Sequence, residues 1–177
     1  MSMHLGERSE ARRLRSTLPP LEPEPTARRT YRAMLERQIQ PVMYGWGFDG
    51  SDEQYRFPSE VWHLLVGFAP MAWSTVGAVR FEVGVLAVPR EVWSQWRANE
   101  PALPEEPNPT VYYAHDATAS GGLAAPLREL AGESGDVRWS VHANADPAPT
   151  AAAVLGAIRR HVLPAFAGRS EAPPIAV

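Results

Sequence analysis

The sequence predicts an α+β fold, an antiparallel sheet of about five strands with two long helices packed on one face. Two observations predict it. Helical periodicity appears near the start and near the end of the chain, whereas most segments between them alternate apolar and polar residues as strands do. The first strands are joined by short connections, which favour antiparallel pairing because parallel strands need long crossovers.

The first helix is predicted over residues 26–44. One side of this helix carries Tyr31, Met34, Leu35, Gln38, Ile39, Val42 and Met43. Pro41 lies within this pattern and lacks the amide that would bond to the carbonyl oxygen of Arg37, so we expect a kink there. Gly45 and Gly47 can adopt the left-handed conformations that end a helix.

Three strands are predicted next, over residues 54–57, 61–68 and 78–88. The segment Pro58-Ser59-Glu60 separates the first two strands and is typical of a hairpin turn. The third strand has the clearest alternation, with one side formed by Val79, Phe81, Val83 and Val85. We expect these odd-numbered side chains to lie beneath the helices, with the even-numbered ones on the opposite face.

A short helix and a proline-rich loop follow this strand. Pro89 suits the start of the helix, and Trp93 and Trp96 lie on one side of it. Residues 101–109 contain repeated prolines and are predicted to form the loop. Residues 110–115 then resume the alternation that is typical of a strand.

The chain is predicted to continue with a further strand and the second long helix. Residues 123–130 form a short helix or turn, and residues 136–142 alternate as a strand. Asp146 is a favourable N-cap, with Pro147 at the first position of the helix. The apolar side of this helix carries Val154, Leu155, Ile158 and Val162. Pro164 is expected to end it.

The composition indicates one globular domain between two loose ends. Hydrophobic residues make up 45% of the chain and charged residues 21%, which is typical of a globular protein. We expect a single domain over residues 26–166. Residues 1–25 are predicted to form a disordered arm because they offer few apolar side chains to offset the entropy of ordering, and residues 167–177 to form a flexible tail.

Charge and missing residue types exclude several functions. A formal net charge of -3 is unfavourable for binding nucleic acid. The longest apolar stretch is far shorter than the roughly 20 residues that span a bilayer, and residues 1–15 lack a signal core, so we expect a cytoplasmic protein that binds no membrane. The chain has no cysteine and no lysine. It therefore has no thiolate nucleophile, thiolate metal site, Schiff-base lysine or phosphate-binding lysine.

The candidate binding residues come from the sheet face opposite the helices and from loops. They are Trp73, Arg80, Glu82, Arg138, His142, His63 and His115. Alternation turns most of them outward, and a face with arginine, glutamate and histidine can bind a carboxylate, a phosphate or a protein partner. The alternative is a solvated face whose ion pairs serve no ligand. Trp73 lies in a loop, where an exposed tryptophan suits a protein interface.

Histidines on neighbouring strands can also form a metal site. His63, His115 and His142 lie in predicted strands or at their ends, and they can converge with Asp116 or Asp146 only if those strands are neighbours. The sequence contains no HExxH or HxH spacing. We therefore expect no metal and no other cofactor.

Four short segments in a fixed order resemble one family of bacterial proteins. They are Gln40-Pro41-Val42-Met43-Tyr44-Gly45-Trp46-Gly47-Phe48, Phe81-Glu82-Val83-Gly84-Val85, Trp139-Ser140-Val141 and His161-Val162-Leu163-Pro164-Ala165-Phe166. Over residues 26–166 the chain is similar to the proteins called domain of unknown function 4304, although members often have asparagine where this chain has Val83. The resemblance implies a small α+β fold. It implies no activity, because the family has no established catalytic residues.

The sequence favours a non-catalytic module that binds a protein partner, such as an immunity-type or accessory factor. It has no catalytic signature and is rich in tryptophan and arginine. The alternative is a small-molecule-binding protein or an enzyme with a pocket between the sheet and the proline-rich loop, lined by His115, Asp116, Arg80 and Glu82. A third reading is RNA binding through Arg12, Arg13, Arg15, Arg28 and Arg29. The sequence does not specify the oligomeric state.

Overall fold

An antiparallel sheet forms the centre of the computed structural model, which describes residues 26–51, 53–111, 113, 115–132 and 139–170. The six strands of the described part are β1 (Asp49–Ser51), β2 (Gln54–Phe57), β3 (Trp62–Pro70), β4 (Ala78–Pro89), β5 (Leu123–Pro126) and β6 (Trp139–His142). Their order is β1-β2-β3-β4-β5, and β6 also pairs with β4. Residues 78–81 of β4 pair with β6 and residues 84–87 pair with β5, so the two short strands lie end to end along β4. The predicted α+β fold is confirmed.

Helices pack on both faces of this sheet. They are α1 (Ala27–Met34), α2 (Gln40–Gly45), α3 (Arg90–Asn99), α4 (Leu127–Leu130), α5 (Ala148–Ala157) and α6 (Leu163–Ser170). Two π-helical segments, Leu35–Ile39 and Ile158–Val162, join α1 to α2 and α5 to α6, and a short 3-10 turn covers Ala117–Ser120. No helix in the described part of the chain has the length and apolar character of a membrane span.

The two long helical stretches cover one face of the sheet. The odd-numbered side chains of β4 are buried in one core with side chains from both stretches, including Tyr31, Met34, Ile39, Val154, Ile158 and Phe166. The rings of Tyr31 and Phe81 lie 5.2 Å apart within this core. The predicted arrangement of β4 beneath the helices is therefore confirmed, and it sets which side chains are left for the opposite face.

Each long stretch has its π-helical segment just before a proline. Leu35–Ile39 precedes Pro41, and Ile158–Val162 precedes Pro164. Proline has no amide hydrogen, and its ring collides with the carbonyl group four residues earlier in a regular helix. The π turns bond to the carbonyl five residues earlier, so the helix continues past the proline. The prediction that Pro164 ends the last helix is therefore wrong, because α6 continues to Ser170.

The opposite face of the sheet is covered at one end by α3 and the loop after it. A second, smaller core there contains Leu65, Leu86, Val88 and Trp93. The rest of that face, at the β6 end of β4, includes the exposed side chain of Arg80. The face is therefore divided into a covered half and an open half, and the candidate site lies in the covered half.

Three segments differ from their predicted structure. Residues 110–115 were expected to form a strand, but the described residues among them belong to a loop. Residues 123–130 were expected to be a helix or turn, but only their second half forms a helix, α4. Their first half forms β5, because it can pair with the edge of β4. Residues 167–170, which were predicted to begin a flexible tail, belong instead to the last turn of α6. The predicted arm over residues 1–25, the first part of the strand predicted over residues 136–142 and the rest of the tail predicted over residues 167–177 lie outside the described residues.

Candidate functional site

A cavity of about 180 Å³ lies between the covered half of the sheet and the proline-rich loop. Its floor comes from β3, β4 and β5, and one wall comes from α3. The remaining wall comes from residues 109–111, 113 and 115–118. The lining includes Ala69, Glu82, Gly84, Leu86, Trp93, Trp96, Pro109, Thr110, Tyr113, His115, Asp116, Thr118, Ala124 and Pro126. Small residues of the floor leave the space that the cavity occupies.

Two paired glycines hold the loop close to the sheet. Gly67 on β3 is the cross-strand partner of Gly84 on β4, and we call this pair the glycine notch. A Cβ atom at Gly67 would lie 2.6 Å from the ring of Pro109, and one at Gly84 would overlap the carbonyl oxygen of Pro109. Thr110 also lies close to both glycines, since its Cγ2 atom would be 2.7 Å from a Cβ at Gly67 and its Cα atom 3.2 Å from a Cβ at Gly84. The loop can therefore rest on the sheet only because both positions lack a side chain.

Four aromatic rings form one side of the cavity. This aromatic wall consists of Trp93, Trp96, Tyr113 and His115. The rings of Trp93 and Tyr113 lie 4.9 Å apart and nearly perpendicular, at 70°. The imidazole of His115 stacks on Trp96 at 4.6 Å and 15°, and its Nε2 lies 3.1 Å from a carboxylate oxygen of Glu100. The contacts hold the rings in fixed directions around the cavity.

The proline-rich loop is attached to the sheet and to α3 by polar contacts. The guanidinium of Arg56 forms two bonds with the carboxylate of Glu106, at 2.7 Å and 2.8 Å. The indole nitrogen of Trp93 donates to the carbonyl oxygen of Glu105 at 3.2 Å. Two-point guanidinium–carboxylate contacts fix orientation as well as distance. The loop is thus anchored on both sides of the cavity that it covers.

Two carboxylates lie at the cavity. Glu82 accepts a hydrogen bond from Nε of Arg128 at 3.0 Å. Asp116 begins the turn at Ala117–Ser120 and accepts hydrogen bonds from the hydroxyl and the amide of Thr118. The hydroxyl of Thr118 is the main cause that lowers the pKa of Asp116 below its ordinary value. Asp116 is therefore ionised at neutral pH.

The structure brings two of the seven predicted site residues together at this cavity. Glu82 and His115 both line it. Arg80 is exposed on the open half of the same sheet face, and His142 is exposed at the end of β6. Trp73 lies in the loop between β3 and β4, where its side chain is 53% exposed. Arg138 lies outside the described residues.

The prediction for His63 is wrong in one respect. We expected His63 on a solvated face, but it is only 7% exposed although it lies on the predicted side of β3. Burial, together with the positive charges of Arg90 and Arg56, lowers the pKa of His63 to about 4. The covered half of the sheet face explains the burial, because α3 begins at Arg90 above this end of β3.

Sequence reasoning missed the residues that shape the cavity. Neither Gly67 nor Tyr113 was singled out, and Gly84 was read only as part of an alternating strand. The signal for the glycine notch was present, because glycine inside a strand often marks a close approach of another backbone. Tyr113 carried no signal of its own, since its role depends on where the loop lies.

The three histidines considered as metal ligands do not form a cluster. Among the described residues no group of three or more histidines, cysteines, aspartates or glutamates is arranged to hold a metal ion. His115 is engaged by Trp96 and Glu100 on the cavity wall, whereas His63 is buried beneath α3 and His142 is exposed on β6.

No family model, curated protein or solved structure matches this chain. The resemblance to domain of unknown function 4304 therefore stays a prediction, and a function has to be inferred from the site itself.

Proposed function

We propose that this protein binds a small organic molecule in the cavity between the sheet and the proline-rich loop. The observation that supports the proposal is a concave space of about 180 Å³ with aromatic walls and a few polar groups. Small-molecule sites have this composition, in which apolar walls supply affinity and placed polar groups supply orientation. Glu82, Asp116 and His115 supply the polar groups here.

The fixed position of the loop supports the same proposal. The glycine notch beneath Pro109 and the contact between Arg56 and Glu106 hold the loop over the cavity through contacts within the protein itself. A site that is formed before binding loses less conformational entropy when a ligand enters. Such a site is suited to a small ligand, which offers few contacts to compensate for ordering a loop.

A thermal-shift screen with a cavity-filling variant tests the proposal. A compound at about 100 times its Kd stabilises the native state by about 2.7 kcal/mol, which raises Tm by about 5–10 °C for a chain of this size. We expect this increase to disappear in Ala124→Leu, because Ala124 lines the cavity on β5 and leucine would occupy the space. Ala153→Leu is the matched control, since Ala153 is exposed on α5.

Two results would contradict this function. A broad screen in which no compound raises Tm would show that the cavity takes no ligand. An equal increase in the wild type and in Ala124→Leu would place binding elsewhere on the protein.

A second candidate function is binding of a protein partner through the loop between β3 and β4. Trp73 is 53% exposed and Val76 is 79% exposed on this loop. Exposed tryptophan is enriched among the residues that dominate protein interfaces. The open half of the sheet face, with Arg80, begins directly after the loop and can add a polar rim.

Replacement of Trp73 tests the second candidate. Trp73→Ala is expected to weaken capture of a partner from the native host by at least about thirtyfold, the effect of losing a strong interface residue. Tm should change little because about half of the side chain, 53%, is already exposed to solvent. Val61→Ala is the control, since Val61 is an exposed apolar residue outside this loop and outside the cavity lining. Unchanged capture by Trp73→Ala, or a large loss of Tm, would contradict the docking role.

A further inference from the structure

The charged groups around the cavity are mainly carboxylates. Glu82 and Asp116 line it, whereas its described lining includes no arginine. Arg128 reaches Glu82 from outside the lining and compensates one of these charges. His115 lies beside Glu100, so that pair adds no net positive charge even when the imidazole is protonated. The carboxylate of Asp116, which is exposed, is the charge of the lining that no arginine in the described part of the chain compensates, and the negative potential that it produces favours a cation over an anion.

Two of the neutral polar groups at the cavity are also arranged as acceptors. The hydroxyl of Thr110 donates its proton to the side-chain oxygen of Asn108 at 2.8 Å. The hydroxyl of Thr118 donates its proton to Asp116. Each hydroxyl oxygen is left with lone pairs that can only accept. These two hydroxyls favour a ligand that donates hydrogen bonds.

The aromatic wall suits a positive charge. The ring of Trp93 is nearly perpendicular to those of Trp96 and Tyr113, at 69° and 70°. Trp93 is buried, at 1% exposure, so the partly exposed rings of Trp96 and Tyr113 are the ones that a ligand can contact. Aromatic rings that line a site in this way hold organic ammonium groups in other proteins. The negative faces of indole and phenol rings attract a cation within about 6 Å.

The size of the cavity limits the ligand. A cavity of about 150 Å³ in another protein accommodates benzene, and the cavity here has about 180 Å³. The bound group therefore has the size of one small ring with a short substituent.

From the negative potential, the acceptor-rich lining, the aromatic wall and this size, we propose that the cavity binds a small organic ammonium ion. The proposal rests on the proposed function and specifies its ligand class. The ammonium group lies beside Asp116 and Glu82 and donates hydrogen bonds to them, and the apolar part of the ligand packs against Trp96 and Tyr113.

Three probes of similar shape test the proposed charge. Benzylammonium, benzyl alcohol and benzoate share one ring and differ in charge, so titration calorimetry with each compares the cation with a neutral and an anionic counterpart. We expect benzylammonium to bind about tenfold or more tightly than benzyl alcohol, and benzoate to bind most weakly. Binding of benzylammonium should be lost in Ala124→Leu and kept in Ala153→Leu.

Neutralising one carboxylate provides an independent test. Asp116→Asn keeps the oxygen that caps the turn, since asparagine caps as well as aspartate does, and removes only the charge. It is expected to weaken benzylammonium binding about fivefold and to leave benzyl alcohol binding unchanged. Asp146→Asn is the matched control because Asp146 also accepts a backbone amide, from Ala148, and does not line the cavity. Glu82→Gln should act in the same direction as Asp116→Asn.

Each outcome decides the proposal. Benzyl alcohol or benzoate binding as tightly as benzylammonium, with that binding lost in Ala124→Leu, would overturn the ammonium ligand and leave the cavity as a small-molecule site. Benzylammonium binding that survives in Ala124→Leu, or that falls equally in Asp116→Asn and Asp146→Asn, would also overturn it. Absence of binding by all three probes would overturn the ammonium ligand, and the broader thermal-shift screen would then decide whether the cavity binds any small molecule.

Discussion

Gly84→Ala is expected to lower the free energy of unfolding by about 1–3 kcal/mol, the usual cost of forcing extra volume into a packed contact. The added methyl group would overlap the carbonyl oxygen of Pro109 and lie 3.2 Å from the Cα atom of Thr110. These are backbone atoms, which cannot rotate away as the end of a side chain can. The loop must therefore lift from the sheet, and the cavity beneath it should lose its ligand affinity.

A graded series of glycine substitutions makes this prediction specific. Gly67→Ala is expected to cost less than Gly84→Ala, because the closest atoms to its methyl group would be the ring edge of Pro109 and the methyl group of Thr110 rather than backbone atoms. Gly77→Ala is the control, since no heavy atom lies within 4 Å of its added Cβ, and it should change stability by less than about 0.5 kcal/mol. Urea denaturation measures all three. Equal stability of the Gly84 and Gly77 variants would show that the loop does not depend on the notch.

The local periodicity of the chain predicted the layers of the fold. The alternation along β4 identified Phe81 and its odd-numbered neighbours as core residues, and the structure buries them beneath the helices. The stripe from Tyr31 to Met43 identified the buried side of the first helix. These signals are reliable because a helix or a strand buries the same face along its whole length. The apolar pattern therefore repeats several times within one short segment.

The structure of the segments around the cavity depends on distant residues. β5 consists of Leu123-Ala124-Ala125-Pro126 and has no β-branched residue, so only the free edge of β4 makes it a strand. Residues 110–115 alternate like a strand, but Pro109 rests on the glycine notch, and the described residues that follow it cross the sheet face as a loop. Neither outcome follows from the sequence of the segment alone.

The candidate site was predictable only in part, for the same reason. His115, Asp116, Glu82 and Arg80 were expected to line a pocket between the sheet and the proline-rich loop, and the first three line the cavity. Arg80 does not, because its part of β4 pairs with β6 beyond the half that the loop covers. Alternation predicts on which face of the sheet a side chain lies. Its position along that face, relative to the loop, can be known only from the order and pairing of the strands.

A second large effect is expected in the free energy of unfolding, which should fall at acidic pH because of His63. Burial, reinforced by Arg90 and Arg56, lowers the pKa of His63 from its ordinary value of 6.5 to about 4. Between these two pH values the unfolded chain binds a proton at His63 that the folded protein does not bind. The contribution of His63 to the free energy of unfolding is therefore fully present above pH 6.5 and is lost as the pH falls towards 4. At about 1.4 kcal/mol for each pH unit, the loss amounts to about 3 kcal/mol.

Replacement of His63 separates this effect from the titration of other groups. His63→Leu removes the proton-binding site and fills a similar volume, and Nδ1 of His63 has no hydrogen-bond partner in the described part of the chain that the substitution would break. Urea denaturation at several pH values between 7.5 and 4 should therefore show a smaller loss of stability in His63→Leu than in the wild type, by about 3 kcal/mol at the lower end. The exposed His142 gives the control, His142→Leu, which should lose stability as the wild type does. If His63→Leu and the wild type lost stability in parallel, His63 would have to be protonated in the folded protein, and the close cover of this half of the sheet by α3 would have to open to allow it.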